Sequence, residues 1–111
     1  MIIYKILTAP EWAELQAQGA TRGAPVDVAD GFIHFSAPDQ VRETAAKHFA
    51  GQMELWLLSY RADRLESLEW EPSRGGALFP HLYGPLTMHG LLEAVPLLWD
   101  GAAHVFPESV P

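Results

Sequence analysis

The sequence predicts a single α+β domain. Two observations carry this. Helix-start signatures occur twice in the first half of the chain, at residues 8–11 and 36–39. From residue 53 onward, apolar runs rich in β-branched and aromatic residues are separated by Gly and Pro, which is the pattern of strands. Two helices early and strands thereafter do not make the regular alternation of a βαβ protein.

Taken in order, residues 2–7 form a short apolar run and read as a strand. Thr8 can cap a helix, Pro10 suits its first turn and Glu11 stands three residues after the cap. A helix over 9–18 follows, stopped by Gly19. Residues 20–30 carry Gly, Pro and Asp and read as loop. A brief strand spans 32–35, and Ser36-Ala37-Pro38-Asp39 repeats the cap-plus-proline device. Val41, Ala45, His48 and Phe49 then recur at helical spacing on one face, with Arg42, Glu43 and Lys47 on the other and Gly51 as the stop. The most apolar run, 53–60, reads as a central strand and 65–71 as another. Ser73-Arg74-Gly75-Gly76 is a turn, 78–83 is extended, and 91–99 is a last strand broken or bulged at Pro96. The globular domain is expected over 1–99, with 100–111 a loose or edge-forming tail of the same domain. Trp99, Val105 and Phe106 would either pair two subunits or fold back.

Composition narrows the class. Apolar residues make up 49% of 111 residues, enough for one core without covalent staples. The absence of Cys excludes disulfides, thiolate zinc sites and cysteine nucleophiles, and fits a reducing compartment. The first residues lack the basic start and cleavage region of a signal peptide, and no run approaches membrane-spanning length, so a cytoplasmic protein is expected. A net charge of −7 with scattered cations argues against nonspecific nucleic-acid binding. Lys5, Arg22 and Arg74 would still suffice for one phosphate if they converged.

The chemistry concentrates in two histidine-centred strings, Gly31-Phe32-Ile33-His34-Phe35-Ser36 and Phe79-Pro80-His81-Leu82-Tyr83-Gly84-Pro85-Leu86. Histidine titrates nearest neutrality and can exchange protons, bind anions or ligate metal. In a strand, Phe32, His34 and Ser36 share one face, and His81 and Tyr83 share another. His34 reads either as a pocket residue or as one satisfied by a backbone carbonyl, and Ser36 as pocket hydroxyl, helix cap or both. His81 reads either as functional or as part of a rigid corner. His48 is expected in the core, His89 and His104 at the surface. Glu69 and Glu71 alternate onto one face opposite Trp70; either one of them orients a hydroxyl or acts as a base, or both are a solvated face. Arg74, in the glycine-rich turn, would close over an anion. No metal site is expected, since His34 and His81 lack a clear third ligand beyond Glu71 or Asp27. No GxSxG, GxGxxG or P-loop motif occurs.

These strings, with Tyr4-Lys5-Ile6, Gln40-Val41, Phe49-Ala50-Gly51, Leu57-Leu58 and Trp70-Glu71, resemble the bacterial family called domain of unknown function 952 from about Ile2 to Leu98. The resemblance implies an ADP-ribosyltransferase-like fold, a split and mostly antiparallel β core with two or three helices. It implies a cleft that holds NAD or a related nucleotide. Carried over by position, Lys5 occupies the first-strand site, His34 the second and the segment around His81 the third. His34 and Ser36 would meet the ribose, Lys5 and Arg74 a phosphate, and His81 and Tyr83 would shape the far wall, with Tyr83 stacking. Glu71 would stabilise a cationic ribosyl carbon. The chain departs from the pattern at Lys5, where the family often has His, and it lacks the glutamate motif of the toxins. Lysine offers a point charge rather than a neutral hydrogen bond. Catalysis is therefore left open beside the alternative, a non-catalytic module that binds a small anion or metabolite.

Overall fold

Strand β1 (Ile2–Thr8) is the backbone of the molecule because both of its faces are buried. Ile3 and Leu7 enter one hydrophobic cluster with Trp12, Leu15, Ile33, Phe35, Leu58, Tyr60, Leu82 and Leu86. Tyr4 and Ile6 enter a second with Val41, Ala45, Leu55, Leu57, Leu97 and Val110. Lys5 lies on the Ile3 and Leu7 face and is only 6% exposed. A buried ammonium requires a partner, and that requirement organises the site described below. The computed structural model describes the backbone of residues 1–111 and every side chain except that of Arg74.

The remaining elements are α1 (Ala9–Gln18), β2 (Ala20–Thr21), α2 (Pro25–Asp30), β3 (Ile33–His34), α3 (Val41–His48), β4 (Leu55–Arg61), β5 (Leu68–Pro72), β6 (Leu78–Leu82), β7 (Leu86–Thr87), β8 (Leu91–Trp99) and β9 (His104–Val105). They build a four-stranded sheet in the order β1-β4-β8-β9, a three-stranded sheet β3-β6-β5 and a small β2-β7 pair. Every pairing is antiparallel. The α+β class is as expected. The capping box of α1 forms as its sequence implies: Thr8 Oγ1 accepts from the Glu11 N–H, and Glu11 Oε1 accepts from the Thr8 N–H. Gly19 closes the helix in the left-handed region at φ 77°.

Several local expectations are corrected. Residues 20–30 are not loop: β2 pairs with β7, and α2 begins at Pro25. Ala24 has no side-chain acceptor to announce a helix start. Asp27, three residues on, does the capping by accepting from the Ala24 N–H at 2.7 Å. Ser36 does not cap α3. Its hydroxyl pairs with Thr44 Oγ1 at 2.8 Å, and Gln40 Oε1 satisfies the Ala37 N–H instead. His48 is exposed rather than buried, because α3 ends there and only Phe49 turns back to the core. His104 is buried rather than at the surface, with Nε2 at 2.9 Å from the Gln52 carbonyl.

Strand β8 runs through Pro96 unbroken, and its register shift lies farther back, opposite Ser59 and Tyr60. Beyond β4, β8 is covered by β9 only at Leu98 and Trp99, so Pro96 interrupts no ladder there. The tail is anchored rather than loose. Val110 is buried, Arg42 donates to the carbonyls of Val110 and Pro111, and its guanidinium sits 4.8 Å from the Phe106 ring. Phe106 thus folds back on the second cluster while Val105 stays exposed. Among the described residues no helix is long and apolar enough to cross a membrane.

Candidate functional site

The three-stranded sheet sets the two histidine strings side by side. Its register pairs Ile33 with Leu82 and His34 with His81. On the other side of β6, Glu69 stands opposite His81 and Glu71 opposite Phe79. Strand alternation then sorts the residues. Ile33 and Leu82 enter the core, and His34, His81, Glu69 and Glu71 share the other face. The imidazole centroids are 5.5 Å apart with their planes at 68°. Phe32, just before β3, stacks on His81 at 4.0 Å and 27°, and also meets His34 at 4.5 Å and Tyr83 at 5.3 Å.

Each imidazole is held by a carboxylate. His34 Nδ1 lies 2.6 Å from Asp27 Oδ1, and its Nε2 lies 2.9 Å from Asp30 Oδ2. Ionised carboxylates only accept, so a ring serving both must donate from both nitrogens, which only the imidazolium can do. His81 Nδ1 lies 2.8 Å from Glu71 Oε1, to which the Tyr83 hydroxyl also donates at 2.7 Å. Among the described residues nothing pairs with His81 Nε2, and no buried side-chain nitrogen or oxygen lacks a partner. This atom therefore keeps a narrow contact with solvent, although the residue is only 5% exposed.

Asp27 is the hub of the site and is 1% exposed. It accepts from Lys5 Nζ at 2.9 and 3.2 Å, from the His34 N–H at 2.9 Å, from His34 Nδ1 and from the Ala24 N–H. Lys5 also donates to the His34 carbonyl at 3.0 Å. Burial alone would raise the Asp27 carboxyl. The His34 hydrogen bond and the charge and hydrogen bond of Lys5 outweigh it and hold the group at about 2. Glu71 is lowered chiefly by the hydrogen bond from Tyr83 and then by that from His81, and the Tyr83 phenol is raised by the same bond to Glu71. Tyr83→Phe is thus expected to move the Glu71 carboxyl upward toward its ordinary range, read by an NMR titration of its side-chain carbon.

Of the residues singled out from the sequence, Phe32, His34, Glu71, His81 and Tyr83 come together on this face. Ser36 does not join them, since its hydroxyl is turned to Thr44 on α3. Lys5 is present but spent on Asp27, so no free ammonium remains for a phosphate. Arg22 lines a neighbouring depression of about 200 Å³ with Asp27, Phe32, Gly84 and Pro85. The nominated Arg74 side chain lies outside the described residues. A larger depression of about 660 Å³ lies across the Gly84-Pro85 corner, between Asp63–Ser67, Thr87 and His89. Neither of these depressions is lined by the two histidines; His34 is partly exposed and His81 is buried beneath Phe32. Among the described residues no group of three His, Cys, Asp or Glu is placed to hold a metal ion.

Asp27 and Asp30 are the site residues that sequence reasoning undervalued. The signal was Pro25 followed by an acid at the third helical position, the same device as at Thr8 to Glu11.

The chain was compared with known proteins. The family model described as protein of unknown function DUF952 matches residues 6–94. The crystal structure of protein CC0527 from Caulobacter crescentus is 50% identical, with a TM-score of 0.89 over 94% of this chain and 92% of that one. The solution NMR structure of CC0527 is 51% identical, with a TM-score of 0.82 over 93% and 90%. No curated protein matches this chain. With the matched region spanning both histidine strings and most of the core, the chain belongs to the DUF952 family.

Proposed function

We propose that the outer face of the β3-β6-β5 sheet binds a small, flat, uncharged or cationic molecule, with Phe32 and Tyr83 as stacking surface and His34 and His81 as polar contacts. The observation that carries this reading is His81 Nε2, unpaired among the described residues, in a ring stacked on Phe32 and held through Nδ1 by Glu71. A rigid imidazole with one nitrogen fixed and the other unpaired is oriented to meet a partner. The charge pattern selects the ligand. Asp30, Glu69 and Glu71 surround the face, and Lys5 is neutralised by Asp27. An anionic ligand would face repulsion on this face.

The nucleotide reading is a second one, favoured by the ring cluster of Phe32, His81 and Tyr83. It asks the nicotinamide end of NAD to be the part held here. Neither the family, which has no assigned function, nor the solved relatives carry the ADP-ribosyltransferase-like kinship further. Because Lys5 is occupied, the phosphates of such a ligand would rely, among the described residues, on Arg22 in the neighbouring depression.

Thermal unfolding with nicotinamide, NAD, ADP-ribose and inorganic phosphate tests both readings. A ligand at a hundred times its dissociation constant adds about 2.7 kcal/mol. Stabilisation by nicotinamide but not by phosphate, and its loss in Phe32→Ala, is the expected result; stabilisation by NAD beyond that by nicotinamide would favour the second reading. Stabilisation by phosphate alone would move the site away from the histidine face.

A further inference from the structure

We propose that His34 and His81 are a general acid–base couple that moves a proton on and off the carbon beside the carbonyl of a small, uncharged ketone or aldehyde. The inference rests on the ligand site proposed above and adds a reaction to it. Its basis is that the two neighbouring rings are held in opposite hydrogen-bonding states. His81 donates from Nδ1 to Glu71, which leaves the lone pair of a neutral ring on Nε2, unpaired among the described residues, the position of a base. His34 faces carboxylate oxygens with both nitrogens, which suits the proton-bearing form of an acid. The Nδ1 contact is to buried Asp27 and anchors the ring. The Nε2 contact is to half-exposed Asp30, so a substrate oxygen can replace that carboxylate as acceptor. The ring centroids, 5.5 Å apart across the β3-β6 ladder, are close enough for one carbonyl and its neighbouring carbon to touch both.

The step balances without any co-reactant. His81 Nε2 takes the proton of the C–H bond beside the carbonyl. The freed pair forms the carbon–carbon double bond of the enol, the carbonyl π pair moves to oxygen, and oxygen takes the Nε2 proton of His34. One C–H and one N–H bond break while one N–H and one O–H bond form. His81 becomes the imidazolium, His34 becomes neutral and the total charge is unchanged. The reverse step returns a proton to carbon, so the net result is hydrogen exchange or a carbonyl shift. Asp30, Glu69 and Glu71 around the pair disfavour a carboxylate or phosphate substrate. Asp27 and Glu71 are positioning residues in this scheme, since each acts through its imidazole.

The test is loss of the carbon-bound proton signal of hydroxyacetone in heavy water, with pyruvate as anionic comparison and free imidazole as reference. The wild type should exchange hydroxyacetone faster than imidazole at equal concentration, and faster than it exchanges pyruvate. His81→Gln should lower the rate by about a hundredfold or more. Glu71→Gln, at a half-buried rim position, keeps the ring, so it should slow exchange and shift the imidazole nitrogen signals of His81. This second variant carries the test if His81→Gln does not fold. Binding is read on the same samples from the imidazole nitrogen and proton shifts of His34 and His81. Shifts moved by hydroxyacetone without exchange above the imidazole reference would overturn the reaction and leave the ligand site standing. Unmoved shifts without exchange would overturn both. Exchange that survives His81→Gln and Glu71→Gln would also overturn the proposal.

Discussion

Asp27→Asn is expected to cost about 3–5 kcal/mol of folding stability, the range for removing one partner of a buried ion pair. The physical reason is the donor set around that carboxylate. Lys5 Nζ, the Ala24 N–H, the His34 N–H and His34 Nδ1 all converge on its two oxygens. Asn keeps the shape but removes the charge, and it turns an amide donor toward groups that are themselves donors. The Lys5 ammonium, 6% exposed, is then left without its counter-ion. Urea unfolding measures the loss. Lys5→Met in the Asp27→Asn background should recover part of it, because the unpaired buried charge is gone. A double variant less stable than Asp27→Asn alone would show that the charge was not the main term.

The same residue sets an acid dependence. Asp27 is held at about 2 in the folded protein against an ordinary 3.8. A carboxyl whose folded value is depressed contributes its full stability above the unfolded value and loses it as pH falls toward the folded one. The contribution, about 2 kcal/mol, should therefore be intact above pH 4 and disappear between about pH 4 and 2. Asp63, Glu71 and Asp100 are also lowered and add slope in the same direction, but they are themselves exposed or half-exposed. Asp27→Asn should flatten the acid limb of a stability–pH curve by its own share.

Gly23→Ala is expected to cost about 2–4 kcal/mol from two sources, left-handed backbone strain and overpacking. Gly23 has φ +86°, which only glycine adopts without strain. A Cβ there would also collide with Asp27 Oδ2 and come within 2.9 Å of Ile33 Cδ1. The carboxylate cannot swing aside, because its donors pin it. Gly31→Ala supplies the control: its φ is +84°, and nothing lies within 4 Å of an added Cβ. It should show the backbone strain alone. Gly23→Ala should in addition shift the imidazole signals of His34, since it displaces the group that holds that ring. Equal losses at the two positions would remove close packing on Asp27 from the account.

The first helix was legible to the atom. Thr8, Pro10, Glu11 and Gly19 are local devices, and each does in the fold what its type implies. Helix α2 was not legible by the same rule, because Ala24 lacks the side-chain acceptor that usually announces a start. His48 was misplaced because helical spacing alone cannot say where a helix runs out of core to face. Pro96 was misjudged because a proline disrupts a strand only where a neighbour needs its N–H, and strand order is a tertiary property.

The candidate site divides the same way. Residue type and strand alternation alone marked Phe32, His34, Glu71, His81 and Tyr83 as bearing chemistry, since imidazoles, carboxylates and exposed rings carry that capacity wherever they stand. Which of them meet was decided by the β3-β6-β5 register, whose β3-β6 pairing joins segments more than forty residues apart. The use made of Lys5 was likewise decided by the fold. In the sequence it is a cation free to hold a phosphate; in the structure it is buried beside Asp27, and the cost of leaving such a charge unpaired turns it from a ligand contact into the anchor of the site.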